Sequence, residues 1–186
     1  MEEKGQHSKS IIAALLILLV GVSIGYAMLS TTLLIKGDAV IKKATWDIHF
    51  DNVQIDSGSV AINSANGEKK AEIKDSIRTL VEYNVVLNNP GDYYEFTVDA
   101  VNSGTMDAKI SNVNLSGIEG HEKYFTYSVV WDDNGETPAV NDVLEQGQSR
   151  KVRVKVQYDP NVTGNDLPTQ DQTLELEFSM NYVQAK

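Results

Sequence analysis

Apolar and polar residues divide this chain into two unlike parts. Residues 11–29, IIAALLILLVGVSIGYAML, form an uncharged run preceded by Lys4 and Lys9. Beyond it the apolar positions recur mostly at every second residue, which is the period of a strand. Trp46, Ile48 and Phe50 share one parity, with Asp47, His49 and Asp51 on the other. Val53 and Ile55 keep the polar parity of Asp51, which predicts a bulge or bend near Asp51-Asn52. Val81, Tyr83, Val85 and Leu87 alternate with polar partners, as do Tyr94, Phe96, Val98 and Ala100. Ala108 and Ile110 give way to Val113 and Leu115, a second parity shift. Phe125 to Trp131, Val152 to Tyr158 and Leu174 to Tyr182 complete the series. Asn89-Pro90-Gly91-Asp92, Asn102-Ser103-Gly104 and Asp132-Asp133-Asn134-Gly135 supply turns. Residues 56–76 read as a loop with one short strand around Val60 to Ile62, or a short helix around 70–78.

Seven to nine strands, each with one apolar and one polar face, mark antiparallel sheets packed on a core from one side. The expected fold is all-β: an antiparallel β-sandwich, Ig-like or jelly roll, preceded by one N-terminal apolar helix. An open barrel is the alternative.

The uncharged run follows a short basic region and ends at a small-x-small site, with Gly25 and Ala27 flanking Tyr26 and Met28 as the first residue after the cut. The expected organisation is therefore a signal peptide over 1–27, an N-terminal arm or first strand over 28–43 and a sandwich domain over 44–186. The alternative is an uncleaved anchor, with 11–29 as the sole link to a membrane. Either way the domain is secreted or held at the cell surface, and a signal peptidase is an expected partner.

Composition narrows the chemistry. The net charge is -10, and the charges of 1–27 cancel, so the acidity belongs to the exported part. It disfavours nucleic acid and anionic lipid as partners. There is no cysteine, which excludes a disulfide framework and thiol catalysis and fits a Gram-positive source.

Few residues suggest a site. Asp47, His49 and Asp51 lie on one strand face and could share a cation or a proton relay, although alternation alone yields a solvated face. In the loop 159–171, Asp159, Asn161, Thr163 and Gly164 follow the start of a calcium-loop spacing, with Asp166 a further oxygen donor. Gln170 stands where that loop needs a glutamate, so calcium is a minor expectation and no other cofactor is expected. Asp132, Asp133 and Glu136 form a comparable acidic turn. Lys151, Arg153 and Lys155 are expected to pair with Glu175 and Glu177 if their strands are neighbours. No nucleophile elbow, phosphate loop or paired-histidine motif is present, and no enzyme activity is expected. The strongest functional feature is the arm, where Leu33, Ile35 and Ile41 share one face. Released by cleavage, it could add a strand to another subunit; the ordinary alternative is pairing within its own domain.

The same segments carry a resemblance. Gly25-Tyr26-Ala27 and the arm after it resemble signal peptides cut by SipW-type signal peptidases. PGDYYEFTVDAVNSGTMDAKISNV (90–113), LEQGQS (144–149) before KVRVKVQY, and EFSMNYVQ (177–184) resemble the camelysin/TasA family. The resemblance implies an exported β-sandwich, and for its best-known members a fibre subunit of a biofilm matrix. It suggests other protein subunits as partners. A membrane-tethered adhesion or binding module is the alternative function. The metallopeptidase activity assigned to camelysin is a second alternative, not carried over because the zinc motif is missing.

Overall fold

The structure, a computed structural model, describes residues 3–29 and 33–185, with side chains over 9–23 and 33–185. The chain divides into two units, Met1–Lys42 and Lys43–Lys186.

In the first unit, α1 (Glu3–Leu29) contains the uncharged run. Among the described residues no helix is long and apolar enough to cross a membrane. The side chains of Gly25, Ala27 and Met28 lie outside the described residues. Residues 33–47 belong to no strand or helix.

The second unit carries β1 (Ile48–Ile55), β2 (Lys69–Ile73), β3 (Val81–Asn84), β4 (Tyr93–Asn102), β5 (Ala108–Ser116), β6 (Phe125–Trp131), β7 (Val143–Leu144), β8 (Ser149–Tyr158) and β9 (Glu177–Gln184). They form a four-stranded sheet β1-β4-β8-β6, a three-stranded sheet β7-β5-β9 and a ribbon β2-β3. All pairings are antiparallel, and the all-β sandwich is present as expected.

Alternation fixes which face is dry. Tyr94, Phe96, Val98 and Ala100 of β4 are buried with Tyr127, Val129 and Trp131 of β6 and Val152, Val154 and Val156 of β8. Against them pack Ile110, Leu144, Phe178, Met180 and Tyr182 from the three-stranded sheet, and Ala71, Val81 and Tyr83 from the ribbon. Full burial of such side chains stabilises by about 1.5–3 kcal/mol each.

Both parity shifts are irregularities of register. The β1–β4 ladder slips between Asp51 and Gln54, where Asn52 adopts φ 53°. Asparagine tolerates this left-handed backbone better than most residues, and its Nδ2 donates to Asp99 Oδ2 at 2.9 Å. The β5–β9 ladder slips between Ile110 and Asn112. Other expectations miss. Val60 to Ile62 forms no strand; a 3-10 turn at Ser64–Asn66 follows it, then β2. Val85 and Leu87 continue the buried parity of β3 without joining its ladder.

Polar groups join the layers. Asn102, 1% exposed, donates through Nδ2 to the carbonyls of Met106 (2.9 Å) and Leu144 (3.0 Å) and accepts from the Gly104 N–H at 3.0 Å. One amide thus links the end of β4 to β7 in the other sheet. Trp131 Nε1 donates to Asp142 Oδ2 at 2.7 Å, linking β6 to the turn before β7. Asn102→Ala leaves two carbonyls and one N–H unpaired in a dry site, a loss of about 3 kcal/mol. The thermal midpoint is expected to fall by about 5–10 °C; calorimetry of the variant measures it, and an unchanged midpoint would remove this amide as the link between sheets.

Candidate assembly surface

The outer face of the four-stranded sheet is a charge lattice closed on itself. Arg153 bonds both Glu95 and Asp132. Lys155 Nζ lies 3.6 Å from Glu95 Oε2 and 4.5 Å from the centre of the Tyr93 ring. Lys151 Nζ meets Asp99 Oδ1 at 2.8 Å. The basic row of β8 therefore pairs with β4 and the end of β6, not with Glu175 and Glu177. The reason is strand order: β8 lies between β4 and β6, whereas β9 pairs with β5 in the other sheet.

The remaining sequence candidates are dispersed. His49 Nδ1 lies 2.8 Å from Asp47 Oδ1, while Asp51 turns to Arg78. Asp159 Oδ1 accepts from Asn161 N (2.7 Å) and Nδ2 (2.8 Å), closing a local turn. Asp166 meets Lys123 Nζ at 2.6 Å. The oxygens read as calcium donors are thus directed to N–H groups and an ammonium. Among the described residues no group of three or more His, Asp or Glu is placed to hold a metal ion. Of the acidic turn, Asp133 receives Arg150 at 2.9 and 3.0 Å, and Glu136 receives Asn134.

The dry side is less complete. The layer covering β4 and β8 comes in two pieces, the sheet β7-β5-β9 and the ribbon β2-β3. In β9, one edge pairs with β5; in β3, one edge pairs with β2; no strand among the described residues pairs with the other edges. Both pieces line one cavity of about 80 Å³, β3 through Val81 and Tyr83, β9 and its lead-in through Leu176, Phe178 and Met180. Its floor includes Phe96 and Val154 of the four-stranded sheet.

The Tyr83 hydroxyl is buried at this cavity without a hydrogen-bond partner. Its polar neighbour is the Tyr127 hydroxyl, which raises the Tyr83 phenol further. Burial pushes both phenols up, Tyr127 to about 12. Buried hydroxyls without a full hydrogen bond are uncommon in folded proteins. Gly117 keeps one wall in position. It sits at φ 97°, and a Cβ there would come within 1.9 Å of the Glu175 carbonyl oxygen, so only glycine lets the lead-in to β9 approach the end of β5.

The arm carries exposed apolar residues. Leu33, Ile35 and Ile41 are 90%, 97% and 97% exposed, with Val40 at 87%. The alternation marked Leu33, Ile35 and Ile41 as one face. No local sequence pattern encodes the cavity, because it arises where two covering pieces fail to meet.

No family model matches the chain, and no curated protein matches it in sequence.

Asp99 yields a pH test. Burial raises its carboxyl, but bonds from Lys151 and Asn52, and the lysine charge, outweigh burial and hold it below the usual carboxylate range. A depressed carboxylate contributes stability that is present above its unfolded value of about 3.9 and is lost as pH falls through the folded value. Asp99→Asn should be less stable at neutral pH and lose less stability than the wild type on acidification below about pH 4. Thermal midpoints from about pH 7 to about pH 2.5 compare the two slopes; equal slopes would show that this bond adds no acid sensitivity.

Proposed function

We propose that the protein is an exported structural subunit of a cell-surface or extracellular fibre that assembles with copies of itself by strand addition. The arm of one copy enters the gap between β3 and β9 of the next, placing Leu33 and Ile35 over the cavity. Main-chain bonds to the two free edges supply affinity, and alternate side chains set the register. Residues 33–41, extended at about 3.3 Å per residue, reach about 30 Å, enough to run the length of β9.

The observation that carries this reading is the interrupted covering layer, with two free edges and an orphaned hydroxyl around one apolar cavity. An entering strand supplies what each lacks: backbone groups for the edges, a carbonyl for the Tyr83 hydroxyl and apolar side chains for the void. The exposed arm is a segment of suitable chemistry within the same sequence. The resemblance to exported fibre subunits points the same way.

Expression of the full-length sequence in an exporting bacterial host tests the reading. Extracellular material should begin at Met28 by mass measurement and form filaments visible by electron microscopy. A chain lacking 33–43 should be exported and stay monomeric in sedimentation. Filaments of undiminished yield from the shortened chain, or a monomeric wild type at high concentration, would refute assembly through the arm. A mature chain beginning at Met1 would favour a membrane-tethered module.

A further inference from the structure

Three glutamates border the gap. Glu82 lies in β3 between Val81 and Tyr83, Glu177 in β9 next to Phe178, and Glu175 next to Leu176. Alternation turns each away from the cavity that its neighbours line, and all three are exposed. None takes part in the ion pairs among the described residues. The lattice on the opposite face, by contrast, satisfies its carboxylates within the domain.

The arm carries the opposite charge. Residues 33–43 hold Lys36, Lys42 and Lys43 against Asp38, a net positive segment in a chain of net charge -10. Lys36 and Lys42 fall on the parity opposite to Leu33, Ile35 and Ile41. When the apolar parity faces the cavity, these two lysines emerge on the outer surface of the layer, where the three glutamates stand.

We propose that Lys36 and Lys42 of one copy pair with Glu82, Glu175 and Glu177 of the next, and that this pairing selects the face and register of the entering arm. The proposal rests on the strand-addition reading. It adds the residues that make the acceptor specific for a second copy of this chain. A slip of one residue exchanges the two faces of a strand. It would turn both lysines into an apolar cavity, where an unpaired ammonium is costly, and would leave the glutamates unmatched. Attraction in one register and a penalty in the next is how specificity is built. The pairing also places local attraction at the one point where two copies must meet, while their net negative charges repel at longer range.

Salt alone cannot test this, because it screens that repulsion and the local attraction together. Charge exchange at fixed ionic strength separates them. Two variants of the full-length sequence are expressed in the exporting host: an arm-reversed chain, Lys36→Glu with Lys42→Glu, and an acceptor-reversed chain, Glu82→Lys with Glu175→Lys and Glu177→Lys. Each alone sets like charges opposite one another. The concentration for half-maximal assembly, read by light scattering, should rise at least about tenfold for each. A mixture of the two should assemble close to the wild-type concentration, because each arm then meets an acceptor of opposite charge. Wild-type assembly of the arm-reversed chain alone, or a mixture no better than its components, would overturn the pairing. Failure of strand addition shows separately, as undiminished assembly of the chain lacking 33–43.

Discussion

The inner face of β4 and β8 must be kept from water, and the chain covers it with two pieces that do not meet. β4 and β8 are long and central, and each presents four buried residues to the core: Tyr94, Phe96, Val98 and Ala100 from one, Val152, Val154, Val156 and Tyr158 from the other. The sheet that holds them is continuous. Its cover is fastened at separate points. Asn102 and the Trp131–Asp142 bond hold the β5–β7 side. The Ala71 N–H, donating to the Tyr94 hydroxyl at 2.8 Å, holds the ribbon. Between those anchorages lie the cavity, the free edges of β3 and β9 and the unpaired Tyr83 hydroxyl. Four oddities thus share one cause, a covering layer interrupted between two of its strands.

The two faces of the four-stranded sheet handle charge and burial in opposite ways. On the outside, Glu95 is 9% exposed, yet Arg153 and Lys155 both reach it. A buried carboxylate without such partners would be strongly destabilising. On that face Glu95, Asp99 and Asp132 are matched within the domain. The rim of the gap differs, because Glu82, Glu175 and Glu177 stand beside apolar side chains whose cover is incomplete. A binding surface is better argued from such a coincidence of unpaired backbone, open apolar surface and unmatched charge than from charge alone, since scattered surface carboxylates are ordinary.

The strands with uninterrupted alternation were legible from sequence. β4, β6, β8 and β9 each present a period of two over several residues, and local chemistry decides such elements. The bulge at Asp51-Asn52 was legible for the same reason, as a break in parity. β2 was missed because Lys69–Ile73 offers only Ala71 and Ile73 to the core within a run of lysines and glutamates. β7 has two residues and no period to read. The partner of the Lys151, Arg153 and Lys155 row depends on which strands are neighbours, which pairing over long sequence separations decides. In the loop 159–171 a spacing suited to calcium also suits a turn in which Asp159 accepts from the backbone and side chain of Asn161. Exposed apolar residues at 33, 35 and 41 identified the arm. The proposed acceptor, the cavity lined by β3 and β9, depends on strand order and has no local pattern.

Strand addition also ties assembly to stability. An edge strand with free N–H and C=O groups is a liability that soluble domains usually blunt with charge, bulges or cover. Here the exposed glutamates Glu82 and Glu177 supply charge along β3 and β9. Filling the gap in trans, as proposed, would add backbone bonds and apolar burial to the folded state alone, so each subunit would gain stability by mass action as its neighbour arrives. Donor and acceptor are different surfaces of one chain, so the contact is head-to-tail, and unless rotation between copies closes a ring it propagates as a filament. On that proposal an incompletely covered core, which weakens an isolated domain, would become the source of the energy that orders the polymer. On the proposed strand addition, control would sit at the N-terminus, because the arm 33–43 follows the segment expected to direct export.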